Sequence, residues 1–113
     1  MKATTVLILT VAAFSAAGGQ LLFKVGARGR DHIIGFLNLY IGGGVFLYGA
    51  GTLIWIYALS TQKLVTVYAF TALTFVLVYI GGVLLLGEDI SRPAMLGVVL
   101  VLGGLYLITV KSV

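Results

Sequence analysis

The chain has no cysteine, a single proline and only three acidic residues among 113. Each scarcity excludes something. Without cysteine there is no disulfide framework, no thiolate nucleophile and no thiolate metal site. The acids are Asp31, Glu88 and Asp89, all in short polar connections, so no apolar stretch carries a carboxylate. Glu88 and Asp89 are adjacent and read as solvated loop carboxylates rather than an acid–base pair. Charged residues make up 9% of the chain, where a soluble domain carries about a quarter. That is too few to coat a water-facing surface. No metal-ligand spacing, nucleophile triad or glycine-rich phosphate loop is present, so no enzyme activity, no metal and no cofactor are expected.

What the chain has instead is apolar length. Hydrophobic residues are 61% of it, and its mean hydropathy is +1.21. Four stretches, 3–27, 33–59, 64–87 and 94–110, are separated only by "RGRDH", "STQK" and "EDISRP". Crossing a hydrocarbon core of about 30 Å takes roughly 20 helical residues; the first three stretches reach that length and the fourth lies at the short end. None alternates apolar and polar residues as a barrel strand would. Helices satisfy their backbone internally, as lipid requires. The expectation is an all-α membrane protein, residues 1–113 forming one domain of four transmembrane helices. The first stretch opens like a cleavable signal peptide, with Lys2 before an apolar run and small residues at Ala16 and Ala17. It continues through "QLLFKVGA", however, and is expected to be retained as a span. The net charge of +4 is spread over helix ends, which suits lipid headgroups better than nucleic acid.

Four spans place both ends of the chain on one side, with Lys2, Lys63 and Lys111. Arg28, Arg30 and Arg92 lie on the other, joined by Lys24 if its side chain snorkels outward. So even a balance allows insertion both ways, which an antiparallel homodimer requires, or leaves orientation to a partner or to flanking detail. Of the 16 glycines, most lie in spans, where small residues permit close helix approach. Gly97 and Gly104, two turns apart on one face of the short fourth span, mark either a dimer interface or packing within the chain. In "EDISRP", Ser91 is placed to cap the fourth helix and Pro93 to sit in its first turn.

Intramembrane polar residues are few, and ionisable ones point to function by default. Gln20, Lys24 and Arg28 share one face of the first helix, preceded on it by the small residues Ala13, Ala16 and Ala17. Lys24 reads either as an interface anchor favoured by the helix C-terminal dipole or, with Gln20, as a site for an anion. Asn38, Tyr40, Thr66, Tyr68, Thr71 and Thr74 complete the set. Tyr68, Thr71 and Thr74 fall near one face and could line a groove, although Thr side chains in lipid also bond their own backbone. Trp55, Tyr48, Tyr57, Tyr79 and Tyr106 read as belt or packing aromatics.

The stretches "GQLLFKVGA", "YALSTQKLVTVYAF" and "LLLGEDISRPAMLGVVLVLGGLYLI" resemble the drug/metabolite transporter superfamily over nearly the whole chain. The similarity is to its four-helix members, the small multidrug resistance proteins and the EamA-like proteins, including flippase subunits for aminoarabinose linked to undecaprenyl phosphate. The resemblance implies a membrane transporter of the bacterial inner membrane, multi-pass, with four helices per protomer and eight in a dimer. Cation exporters of that group carry a first-helix glutamate two turns before the lysine; here that position is Ala16, and their third-helix tryptophan falls near Thr71. The departures turn the implied substrate from a cation to an anionic amphipath, a polyprenyl-phosphate-linked monosaccharide moved by alternating access. Lys24, with Arg28 and Arg30, would engage the phosphate, and Gln20, Asn38, Tyr68 and Thr71 the sugar, the Ala13–Ala17 wall passing the lipid tail. The partner would be a second copy, antiparallel, or a similar small subunit. Two other readings stand beside it: a proton-coupled exporter of small cations, and a non-transporting membrane partner of another protein.

Overall fold

The computed structural model describes residues 3–29 and 32–110. Helix α1 (Ala3–Ala27) is followed by a 3-10 turn (Ile33–Phe36), α2 (Leu39–Leu59), α3 (Leu64–Tyr68), α4 (Thr71–Leu86) and α5 (Arg92–Val110). There is no strand among the described residues, and the chain is an all-α membrane protein with four apolar spans: α1, α2, α3 and α4 taken together as Leu64–Leu86, and α5.

Two boundaries differ from expectation. The second span does not begin at residue 33. Asn38 stands extended (φ −141°, ψ 173°) and its side-chain oxygen accepts from the Ile41 amide, so the helix starts only at Leu39 and has 21 residues. The six residues before it spend themselves on a corner, not on the bilayer. The third span is interrupted at Ala69–Phe70, where i to i+3 bonds such as Phe70 N–H to the Val67 carbonyl (3.0 Å) replace the regular ladder. No proline is involved. The Thr71 hydroxyl donates to the Tyr68 carbonyl at 2.7 Å, and the break is packed into the core: Leu9 and Val67 are fully buried, with Phe70 and Ala58 beside them. The fourth span begins as expected. The Ala94 amide donates to Ser91 Oγ at 3.2 Å, and Pro93 occupies the first turn of α5.

Helix α1 is the hub, packed against α2 on one side and α4 on the other, while α5 touches mainly α4. Glycine makes the α1–α2 seam possible. A Cβ at Gly19 would lie 2.8 Å from the Gly44 carbonyl oxygen, and one at Gly44 would lie 2.8 Å from that of Gly19. Further along, a Cβ at Gly51 would meet the Ala12 carbonyl at 3.0 Å. The two main chains are therefore in contact, the arrangement small residues allow where lipid offers no hydrophobic drive to association. On the other side, Leu21 fills the notch at Gly81. Helix α5 buries none of its residues, and a Cβ at Gly97 or Gly104 would meet nothing within 4 Å. The extents are 46 × 35 × 18 Å. The short axis is less than half the long one, so the protomer is slab-shaped.

Candidate functional site

A groove of about 600 Å³ opens between α1, α2 and the broken third span. Its floor is small, with Ala12, Ala13 and Ala16 from α1 and Gly51 from α2. Gln20, Tyr48, Thr52, Trp55, Tyr68 and Thr71 give its walls their polar and aromatic groups, beside the aliphatic Leu9 and Val78. Trp55 and Tyr68 face each other with ring centroids 6.4 Å apart at 59°, a tilted pair of the kind aromatic quadrupoles favour. None of the lining residues is charged. Thr52 and Thr71 donate their hydroxyls to the backbone carbonyls of Tyr48 (2.9 Å) and Tyr68 (2.7 Å), leaving oxygen lone pairs toward the groove as acceptors. Gln20 is exposed and its amide retains both donor and acceptor capacity.

Of the residues expected to bind substrate, Gln20, Tyr68 and Thr71 come together here. Lys24 and Arg28 do not line the groove: Lys24 continues the Gln20 face of α1 and is exposed, whereas α1 ends at Ala27 and Arg28 falls in the turn beyond it, exposed, rather than on the helix face where the spacing put it. Arg30 lies outside the described residues. Asn38 is placed elsewhere, at the corner between α1 and α2. Its amide nitrogen donates to the carbonyls of Gly26 (3.0 Å) and Gly35 (3.1 Å), and its oxygen caps α2 through Ile41 N–H (3.1 Å). It clamps the α1–α2 corner: both amide hydrogens and one oxygen lone pair are taken up there, and Asn38 does not line the groove. The expected alanine wall is divided as well: Ala13 and Ala16 line the groove, while Ala17 is buried away from it. Gly97 and Gly104 are half-buried, and a Cβ on either would meet nothing within 4 Å outside its own helix backbone.

Two features were not expected. One is Trp55, read from sequence as belt or packing; Tyr48, Thr52 and Trp55 recur at helical spacing on one face of α2, and that period is the signal that places them together. The other is Glu88. Its carboxylate comes 4.0 Å from the Lys24 ammonium, with the two side chains 51% and 55% exposed. Gly87, in the left-handed region (φ 69°, ψ 22°), ends α4 and turns the chain. The Glu88 amide then bonds back to the Gly82 carbonyl at 3.1 Å, and the side chain folds over Gly82, where a Cβ would lie 2.8 Å from Oε1. A residue that reads as a loop carboxylate thus touches the cationic end of α1.

The site so built is an uncharged, aromatic and hydroxyl-lined groove leading to an ammonium with a carboxylate at its side. No family model, curated protein or solved structure matches the chain.

Proposed function

We propose that the chain is a transporter subunit rather than an enzyme, and that it moves an amphipathic, phosphate-bearing substrate across a bacterial inner membrane. The substrate class is a polyprenyl-phosphate-linked monosaccharide, in keeping with the resemblance to the drug/metabolite transporter superfamily. One observation carries the reading: along a single face of α1, the uncharged groove at Ala16 and Gln20 gives way one turn on to Lys24, with Arg28 in the turn that follows the helix. A glycosyl group presents hydroxyls and C–H faces, which Gln20, Thr71, Tyr68 and the Trp55 ring are suited to meet. A phosphate needs cations at the interface, which Lys24 and Arg28 supply, with Arg30 the third basic residue of that end. The lipid tail stays in the bilayer beside the slab. Cation export is disfavoured because the groove has Ala16, and no carboxylate, where such a substrate would need one.

A slab this thin cannot sequester substrate alone, so the working unit is a dimer of eight helices, a second copy or a similar small subunit. Helix α5, with Gly97 and Gly104 open for close approach, is the surface for that contact. Antiparallel pairing would supply the two-fold relation that alternating access uses.

The test is translocation of a fluorescent polyprenyl-phosphate sugar in proteoliposomes. Lys24→Ala should lower the rate about 10–150-fold, the loss of one charge-assisted contact worth about 1.5–3 kcal/mol. An unchanged rate in Lys24→Ala and Lys24→Glu would remove the phosphate role. No translocation by wild type, together with tight association with a larger membrane protein, would make the chain a partner subunit instead.

A further inference from the structure

Glu88 is the one charged group at the site that the transport reading leaves unused, and its position is determined three times over. Gly87 adopts a left-handed conformation that turns the chain back. The Glu88 amide is tied to the Gly82 carbonyl. Gly82 lacks the Cβ that would collide with the carboxylate. The outcome is an acid held against Lys24 from the connection that follows α4, at 4.0 Å with both partners half exposed.

We propose that Glu88 is an internal counter-anion seated on Lys24, and that an oxyanion of the phosphate mono- or diester class binds by displacing it. The proposal rests on Lys24 being the phosphate partner. At 4.0 Å the pair is an ion pair and not a close charge-assisted hydrogen bond, which would run about 2.7–2.9 Å. The carboxylate can therefore leave for water at small cost. A phosphate brings more oxygens than a carboxylate and can take further donors beside Lys24, Arg28 in the exposed turn after α1 being the next cation along the chain. Glu88 then sets a threshold. A weakly binding anion meets an ammonium already paired, whereas one that also fills the groove gains enough elsewhere to replace the acid. This is discrimination by a competing element rather than by an added contact.

Binding of farnesyl phosphate, and separately of inorganic phosphate, to the full chain in nanodiscs tests this by isothermal titration. Glu88→Gln should bind farnesyl phosphate about 2–5-fold more tightly than wild type, the factor a half-exposed pair contributes. Gly82→Ala, which keeps the acid but pushes it off its seat, should bind more tightly too. Both gains should vanish in the Lys24→Gln background. The same ranking with inorganic phosphate assigns recognition to the oxyanion alone; a ranking seen only with farnesyl phosphate assigns it to a lipid-borne headgroup, and either sustains the displacement. If wild type binds through Lys24 but Glu88→Gln binds no more tightly, displacement is wrong while the phosphate reading stands. If Lys24→Gln binds as well as wild type, the phosphate reading fails and the displacement with it.

Discussion

Adding one methyl group at Gly44 tests the backbone seam between α1 and α2. The new Cβ would lie 2.8 Å from the Gly19 carbonyl oxygen and 2.7 Å from Phe23 Cδ1. The phenyl ring can rotate, but the carbonyl belongs to a helix and cannot. Moving from 2.8 Å to an ordinary contact of 3.4 Å requires the helices to part locally by about 0.6 Å. A gap of that size already forfeits a quarter or more of each affected dispersion contact, and overpacking of this kind costs about 1–3 kcal/mol. Gly44→Ala should therefore raise the unfolded fraction by about 5–150-fold. Unfolding in mixed micelles of dodecyl maltoside and dodecyl sulfate, followed by emission of Trp55, the single tryptophan, reads this directly. Gly42→Ala is the internal control, since its Cβ meets nothing within 4 Å; it should be neutral or gain up to about 1 kcal/mol from helix propensity. Gly19→Ala should cost about as much as Gly44→Ala, and the double variant less than the two together, because one separation relieves both clashes. Gly81→Ala should cost less than either, because it meets only the end of the flexible Leu21 side chain. If Gly44→Ala unfolds within about 0.5 kcal/mol of wild type, or Gly42→Ala is equally damaged, main-chain contact is not what holds the seam.

Asn38→Ala removes three hydrogen bonds at the α1–α2 corner and should cost about 1–3 kcal/mol in the same unfolding assay, without changing ligand affinity in the fraction that stays folded. Gly97→Ile and Gly104→Ile should leave unfolding of the protomer unchanged while shifting the dimer toward monomer in detergent, as seen by light scattering on a sizing column. Trp55→Ala should weaken binding of a polyprenyl-phosphate sugar by about 0.5–1.5 kcal/mol, the worth of an aromatic pair beyond its area, and leave inorganic phosphate binding unaltered. Ala16→Glu should place a carboxylate in the groove and confer binding of a lipophilic cation such as tetraphenylphosphonium, read by quenching of Trp55.

The spans are legible in the residues because lipid imposes one rule, long apolar helices, and the chain obeys it four times. Where it departs from that rule, short-range chemistry decides. Asn38 in an apolar run looks like a groove residue; only the proximity of the Gly26 carbonyl, 12 residues earlier, makes it a clamp. The break at Ala69–Phe70 has no proline to announce it and depends on how Val67 and Phe70 pack against Leu9. Gln20, Tyr68 and Thr71 meet as helical spacing suggests. Trp55 joins them because α1 and α2 approach to backbone contact, a distance set by glycines whose partners cannot be read from one chain. Glu88 eluded the sequence for a related reason. Its neighbour in the chain is Asp89, but its neighbour in space is Lys24, and the left-handed turn at Gly87 makes the difference.

The hub position of α1 has a consequence for biogenesis. The helix that every large packing surface uses is also the one synthesised earliest among the described elements. Its first partner, α2, follows it directly, and α4 then docks on the face that remains. Each segment leaving the insertion machinery finds its docking surface already in the bilayer. Only α1 waits, its second face open until the third span arrives to cover Leu9, and α5 comes last, against α4. Assembly can thus run in the order of synthesis, with little opportunity for the kinetic traps that delayed long-range pairing creates.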